Sequence, residues 1–398
     1  MLKAGLLIGS LCGAAILAAC GAAATGRTTP AAASAAGTRH YEYVFVDEAM
    51  YVYDIDNGQR LIEQHSLPGV TGIRGVTANV GTHMLYISHG GDGDGNGTGS
   101  LAKYDLVQNR IVWDRHYGRG IDSMALSKGG TRIYMPDGEL SNDGVWSVLD
   151  AGSGSPVGEI HAGLGPHNTV VGLGGRQVYL GGRNYPYLEV ASTASNRVVR
   201  RIGPLRSGVR PFTINGRENV AYTTATGFLG FQVSSITTGR VLYTVGFGSR
   251  FPYPSSWPLS APSHGISLSP DERQLWVIDT PNAFVHVFDV SGVPRRAPRR
   301  IADIRLSNDF TGRQSDCSRD CERDGWLQHS RSGCYVFVGD TGDALSTKTL
   351  RPVGYLPALR NSREFLEIDW SGGVPVASTT RHGLGYVTGR HRPPPPRC

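Results

Sequence analysis

Seven polar or charged residues occupy equivalent positions of a repeated sequence pattern, each opening a strand expected to lie innermost in its repeat. They are Arg74, Asp122, His167, Arg210, His264, Asp324 and Glu364. Two imidazoles among carboxylates and guanidiniums can supply general acid–base chemistry or ligands for a metal ion. Polar side chains at the opening of a hydrated channel also need no function, because polar surface is common in proteins and ligand-binding pockets are few. Both interpretations place the candidate site where the repeats converge.

A Gly-rich acidic segment resembles the start of a calcium-binding loop. Its oxygen donors stand at alternate positions, at Asp92, Asp94, Asn96 and Thr98. Gly97 occupies the sixth position of such a loop, but Lys103 stands at the twelfth, where a bidentate Glu is expected. Calcium and a flexible acidic turn are therefore both open interpretations of this segment.

Cysteine usage fits an exported protein. Four cysteines follow Cys20, at Cys317, Cys321, Cys334 and Cys398, and they allow three full pairings. A bridge from Cys317 or Cys321 to Cys334 is the preferred prediction, because it would staple the long insertion of the sixth repeat in an oxidising compartment. Zinc held by Cys317, Cys321, Cys334 and His329 is the alternative, with a Cys-x-x-x-Cys spacing at the edge of the usual range.

The elements that position these residues follow from a strand phrase that recurs seven times. The clearest copy covers residues 284–290, with Asp289 near its end. The other copies begin at Met50, Leu101, Val145, Leu188, Phe228 and Asp343. A polar turn such as Asp56-Asn57-Gly58 follows each copy, and Gly and Asn supply the positive φ of a tight hairpin. The local unit is strand, hairpin, strand.

A second phrase, clearest at residues 264–271, adds two more strands to each repeat. Ile266 and Leu268 alternate with polar residues, which indicates a half-buried strand, and Ser-Pro-Asp then turns the chain. A spacing of 11 residues separates His264 from Leu275, Arg74 from Leu85, Asp122 from Ile133 and His167 from Val178. Independent repeats thus share one register.

Four-stranded units at intervals of roughly 40 to 57 residues predict an all-β, seven-bladed propeller over residues 41–389. A helical solenoid would show a 3.6-residue period, and a β-helix would repeat every six or nine residues. The ring is expected to close by pairing residues 43–46 with residues 374–379 or 383–387, which would remove the sheet edges.

The two phrases resemble those of the YVTN-type propeller family. The resemblance is carried by Asp289, by residues 264–271 and by Leu85-Tyr86-Ile87, and it spans about residues 41–387. It implies the propeller architecture. Members share that architecture without sharing one activity, so the resemblance implies no ligand.

The N-terminus indicates export and lipid attachment. Residues 1–19 have the early cation and short apolar run of a signal peptide. Leu17-Ala18-Ala19-Cys20 resembles the bacterial lipobox, which implies cleavage before Cys20 and acylation of its thiol; an ordinary cleavage near Ala19 is the alternative. Gly21 then favours the outer membrane in a Gram-negative cell. Residues 20–40 form a tether poor in large apolar side chains, with a reach of roughly 25 Å.

Charge does not indicate a nucleic-acid partner. The net charge of +6 is spread along the chain, apart from residues 295–300 and the Pro/Arg-rich tail at 390–398. Export removes nucleic acids as usual partners, and interleaved proline favours solvated loops. We expect a monomer whose partners are the membrane, through its lipid, and an envelope protein, a glycan or a small ligand.

Two classes of function follow. A non-catalytic binding or scaffold protein of the bacterial cell envelope is favoured, because the sequence contains no specific catalytic motif. An enzyme acting on a lactone-type ring, as a lactonase- or lyase-like propeller with His167 and His264 as acid–base or metal partners, is the alternative. The sequence requires no cofactor; calcium at the acidic segment is the candidate, with zinc at the cysteines as the alternative.

Overall fold

The computed structural model describes residues 37–91, 97–315, 317–318, 321–379, 384–389 and 398. These residues form seven antiparallel sheets arranged as a propeller, and six of the sheets have four strands. The seven-bladed all-β prediction is therefore confirmed. Only two short 3-10 helices occur in the described ranges, η1 (Ile55–Asn57) and η2 (Pro357–Asn361), and neither is long and apolar enough to cross a membrane.

The strands of the first six blades follow one another along the chain. Blade 1 contains β4 (Gly75–Asn79), β5 (Met84–His89), β6 (Ser100–Asp105) and β7 (Arg110–His116). Blade 2 contains β8 (Ala125–Leu126), β9 (Arg132–Pro136), β10 (Val145–Asp150) and β11 (Pro156–His161). Blade 3 contains β12 (Pro166–Val171), β13 (Gln177–Gly182), β14 (Leu188–Ser192) and β15 (Arg197–Ile202).

The remaining blades keep the same order. Blade 4 contains β16 (Val209–Ile214), β17 (Val220–Ala225), β18 (Phe228–Ser235) and β19 (Val241–Gly246). Blade 5 contains β20 (Ile266–Leu268), β21 (Gln274–Asp279), β22 (Phe284–Asp289) and β23 (Arg299–Arg305). Blade 6 contains β24 (Trp326–His329), β25 (Tyr335–Gly339), β26 (Asp343–Ser346) and β27 (Arg351–Tyr355). Blade 7 contains β1 (Arg39–Val46), β2 (Ala49–Asp54), β3 (Arg60–Ser66), β28 (Glu364–Ser371) and β29 (Val374–Ser378).

The Ser-Pro-Asp turn that the sequence predicts is present in the structure. In blade 5 the Asp271 carboxylate accepts hydrogen bonds from Ser269 Oγ at 2.7 Å and from the Arg273 backbone N–H at 3.1 Å. These bonds satisfy backbone and side-chain donors within the turn between β20 and β21. The recurring Asp phrase forms the third strand of its blade, as β22 does with Asp289 at its end.

Blade 7 combines the two ends of the propeller. β1 pairs with β28, so that Tyr43 lies opposite Leu366, while β29 pairs with the other edge of β28. The predicted partners of residues 43–46 were therefore wrong. The chain turns back at Gly372 and Gly373, both with positive φ, which places residues 374–378 on the channel side of β28 rather than against β1.

The apolar core lies between the faces of neighbouring blades. One cluster joins Phe45 and Val52 of blade 7 to Leu85 and Ile87 of blade 1, and all four side chains are buried. Alternate residues of each strand point to opposite faces, so each blade packs against both of its neighbours. This packing fixes the inner strands around a common centre.

The two faces of the ring differ in their connections. On one face, which we call the loop face, 19 residues (247–265) join β19 to β20 and 20 residues (306–325) join β23 to β24. The opposite face, the turn face, has short hairpins, and its longest described connection has 9 residues (290–298). Irregular segments on a rigid scaffold commonly carry binding residues.

Three buried carboxylates lie on one face of blade 7. Glu42 is opposite Glu367 in the β1–β28 pair, and Asp369 lies two residues further along β28. Glu42 Oε1 makes no hydrogen bond within the described residues. Burial, Glu367 and Asp369 raise the pKa of Glu42 well above its usual value, and burial and Asp369 do the same for the pKa of Glu367. At a pH between the unfolded and folded pKa values, the folded protein therefore keeps protons on Glu42 and Glu367 that the unfolded chain has released.

We expect Glu42→Gln to stabilise the protein increasingly as pH rises above the unfolded pKa of Glu42. A carboxyl whose pKa is raised on folding contributes stability below its unfolded pKa, and this contribution is lost as pH rises through the folded value. The variant should match wild type at about pH 4.5 and melt about 2–4 °C higher at about pH 8.5. Circular dichroism melting curves at both pH values measure this. Glu63→Gln, at an exposed position of β3, is the control; a pH-independent difference for Glu42→Gln would contradict the expectation.

Candidate functional site

All seven residues predicted to open the inner strands lie at the loop-face end of those strands, and all are buried. The side chains at the predicted channel mouth are therefore shielded by neighbouring protein atoms rather than exposed. Three pairs form among them, since Arg74 and His167 both contact Asp122 and His264 contacts Asp324.

Glu139, which the repeat register did not indicate, joins four of the blades. It lies between β9 and β10, and its Oε1 accepts a hydrogen bond from Arg74 at 2.9 Å. Its Oε2 lies 2.6 Å from Arg210 Nη1 and 3.0 Å from Arg183 Nη1. Burial alone would raise the pKa of Glu139, but His167 and the three guanidiniums hold it well below its usual value.

His167 and Asp122 form a buried pair beside Glu139. His167 Nδ1 lies 2.9 Å from Asp122 Oδ2, and Arg74 Nη2 donates to the same oxygen at 3.3 Å. Burial opposes ionisation of Asp122, yet His167 and Arg74 lower its pKa. Because an ionised carboxylate only accepts hydrogen bonds, Nδ1 is the donor in this pair. Nε2 is buried and makes no hydrogen bond within the described part of the chain.

A second histidine–carboxylate pair faces the first. The rings of His167 and His264 have centroids 5.9 Å apart. His264 Nδ1 lies 3.0 Å from the Gly325 carbonyl oxygen and 3.2 Å from Asp324 Oδ1. Burial lowers the pKa of His264, and Asp324 opposes that shift only in part. Neutral His264 therefore donates from Nδ1 to the 324–325 segment.

Arg363 and Asp340 hold the segment that carries Asp324. Arg363 donates to Asp324 Oδ1, and although burial acts against ionisation, the guanidinium and His264 lower the pKa of Asp324. Asp340 Oδ2 accepts from the backbone N–H groups of Asp324 at 3.1 Å and Gly325 at 3.0 Å. Burial raises the pKa of Asp340 to about 6. Glu364, the seventh predicted residue, begins β28 directly after Arg363.

The residues around His167 fit an ion-pair cluster better than a metal centre. Asp122, Glu139 and His167 each have a potential ligand atom within 4.8 Å of the others. However, both Glu139 oxygens accept from guanidiniums, and His167 Nδ1 bonds to Asp122. A metal ion would have to displace these cations and would be repelled by them. The prediction of calcium concerns a different segment: Asp92, Asp94 and Asn96 lie outside the described residues, whereas Thr98 lies within them.

The disulfide pairing differs from the prediction. Cys317 bonds to Cys321, and Cys334 bonds to Cys398. A bridge from Cys317 or Cys321 to Cys334 was wrong because β24 separates them: the first two precede β24 on the loop face, and Cys334 follows it on the turn face. The alternative zinc site would need free thiolates, and its three cysteines are all in disulfide bonds. His329, its fourth proposed ligand, has Nδ1 2.8 Å from Ser267 Oγ. Both disulfides fit an oxidising compartment.

Comparison with known proteins shows the fold. The chain is similar to a solved structure described as a functionally unknown protein from Desulfotomaculum acetoxidans DSM 771, with a TM-score of 0.61 and 8% sequence identity. The match covers 82% of this chain and 98% of that one. No family model and no curated protein matches this chain. The YVTN-type and lipoprotein resemblances stay predictions from the sequence.

The sequence did not indicate Glu139, Arg183 and Arg363 as site residues. Glu139 and Arg183 lie in connections after the second strands of blades 2 and 3, where the repeat has no fixed register. Arg363 had one available signal, since it adjoins Glu364 at the start of β28. The register identified which strands converge, but it did not identify which loop residues bend over them.

Proposed function

We propose that this chain is a non-catalytic binding or scaffold protein of the bacterial cell envelope, exported and held to a membrane by a lipid on Cys20. The observation that carries the non-catalytic interpretation is the pairing at the ring centre. Asp122, Glu139 and Asp324 all have a lowered pKa because cationic groups face them. A general acid or base works best with a pKa near the ambient pH, so these carboxylates are poorly suited to transfer protons.

The loop face is the surface that we infer to bind a partner. Leu140 and Leu164 are each 45% exposed there, on connections beside the buried cluster. The rings of Tyr185 and Tyr187, on a neighbouring connection, lie 5.3 Å apart. Exposed apolar side chains and half-buried aromatic side chains on loops suit contact with an envelope protein, a glycan or a small ligand. The ion-pair cluster below would keep these loops in fixed positions.

A photo-crosslinking experiment in living cells tests this assignment. A benzophenone amino acid replaces Leu140 or Leu164 on the loop face, and Val107, which is 43% exposed on the turn face, is the matched control. We expect crosslinked adducts from the two loop-face positions and none from the control, because equal exposure removes accessibility as an explanation. Adducts of equal yield from Val107, or none from either leucine, would overturn the proposal.

One observation favours the enzyme alternative. His167 and His264 each have an Nδ1 held by an oxygen acceptor, an arrangement that orients imidazoles for proton transfer. A lactonase- or lyase-like propeller would use them at this place. Turnover of a panel of lactones by wild type, lost in both His167→Gln and His264→Gln, would replace the binding interpretation. Equal rates in the three proteins would place any hydrolysis elsewhere.

A further inference from the structure

The turn face carries arginines that have no acidic partner. In blades 3, 4 and 5, each connection on this face contains or adjoins an exposed arginine. Arg273 of blade 5 lies 3.7 Å from Asp271. The others make no ion pair with a carboxylate within the described ranges: Arg176, Arg197, Arg217, Arg240, Arg295 and Arg296. The charges of these six side chains, which we call the basic surface, are therefore not neutralised by the protein itself.

The carboxylates of the same connections are used to hold the turns together. Glu218 accepts a hydrogen bond from the Gly174 backbone N–H at 2.7 Å. Glu272 accepts from the backbone N–H groups of Gly216 at 2.7 Å and Val387 at 3.0 Å. Both side chains belong to half-buried residues, whereas the arginines are exposed. The turns thus satisfy their backbone donors with acidic groups and leave guanidiniums at the surface.

Exposed arginines of the loop face are engaged differently. Each of them contacts a carboxylate or lies over an aromatic ring. Arg313 lies 3.4 Å from Glu322, and the Arg206 guanidinium lies 4.8 Å from the centre of the Phe228 ring. The positive charge without a protein partner is therefore concentrated on the turn face.

The chain also enters the propeller on the turn face. β1 begins at Arg39, which lies opposite Trp370 near the turn-face end of β28. Cys20, where we propose the lipid, precedes Arg39 by 19 residues, so the tether joins the same face that carries the basic surface. A basic surface is a second membrane contact that strengthens a lipid anchor. Alone it binds reversibly and salt releases it, so it does not replace the lipid.

We propose that the turn face docks on an anionic lipid bilayer, with the basic surface at the phosphate groups of the lipids. Guanidiniums bind phosphate through paired hydrogen bonds. The six arginines are spread over three adjacent blades, which suits a layer of headgroups better than a single bound anion. Docking in this orientation leaves the loop face directed away from the membrane. The charge argument depends neither on the lipid at Cys20 nor on the partner proposed for the loop face.

Sedimentation of purified Cys20→Ala protein with lipid vesicles tests the proposal, because no acyl chain on Cys20 then contributes. We expect binding to vesicles of phosphatidylglycerol and phosphatidylcholine, and none to phosphatidylcholine alone. Each cation close to an anionic bilayer strengthens binding about 5-fold, so Arg295→Gln combined with Arg296→Gln should weaken it about 25-fold. Arg176→Gln combined with Arg240→Gln should weaken it equally, and this pair decides if the first does not fold.

Arg206→Gln combined with Arg305→Gln is the matched control, since it removes the same charge from the loop face. The faces are separated by strands roughly 20 Å long, more than twice the screening length of about 8 Å in physiological salt, so this pair should leave binding unchanged. Equal weakening by the control, or no preference of wild type for the anionic vesicles, would overturn the proposal. Stronger release by inorganic phosphate than by chloride at equal ionic strength would also overturn it, because that result indicates a site for one anion.

Discussion

Glu139→Gln is expected to lower the free energy of unfolding by about 3–5 kcal/mol, the cost typical of breaking a buried ion pair by removing one partner. Glu139 is the shared acceptor of Arg74, Arg183 and Arg210, which come from blades 1, 3 and 4. The amide keeps the shape but removes the charge. Three guanidiniums then converge on one neutral group, and the buried Arg74 and Arg210 lose much of their compensation.

Urea unfolding of wild type and variant at neutral pH measures the difference. Glu159→Gln is the matched control, since Glu159 accepts from Arg119 at 2.9 Å in an exposed pair whose loss should cost less than about 1 kcal/mol. The lowered pKa of Glu139 adds a second readout. Its stabilisation is present above the unfolded pKa and lost as pH falls, so the difference should shrink below about pH 4. Equal losses for both variants would show that the cluster does not hold the blades together.

Cys20→Ala is expected to transfer essentially all of the protein from the membrane fraction to the soluble fraction. Each buried CH₂ of an acyl chain contributes about 0.8 kcal/mol to membrane binding, so only the combined chains of a lipoprotein anchor stably. Fractionation of cells and the mass of the mature N-terminus measure the outcome. The mass also identifies any variant that remains in the membrane because its signal segment was not removed.

Cys12→Ala is the matched control for the anchor. Cys12 lies within the segment predicted to be cleaved, so its loss should leave membrane attachment and the mature mass unchanged. A mature wild-type protein that lacks acyl chains, or a processed Cys20→Ala that stays in the membrane, would contradict the lipid anchor.

The blade pattern was predictable because its signals are local. Alternation of apolar and polar residues, as at Ile266 and Leu268, predicts a strand with one buried face, and Asp271 predicts the turn that follows. A spacing of 11 residues from His264 to Leu275 then predicts a hairpin, and the number of times the strand phrase recurs predicts the number of blades. Each of these requires only neighbours in the chain.

The sequence by itself thus determined the strands, the seven blades and which residues open the inner strands. Only the tertiary structure decided that Glu139 accepts from three blades, that Cys334 pairs with Cys398 and that β29 lies inside the ring. These features depend on where loops and chain ends meet after the ring has closed. The physical reason is that a local period specifies how a strand packs on its neighbours, whereas contacts across the centre arise from the summed geometry of all seven blades.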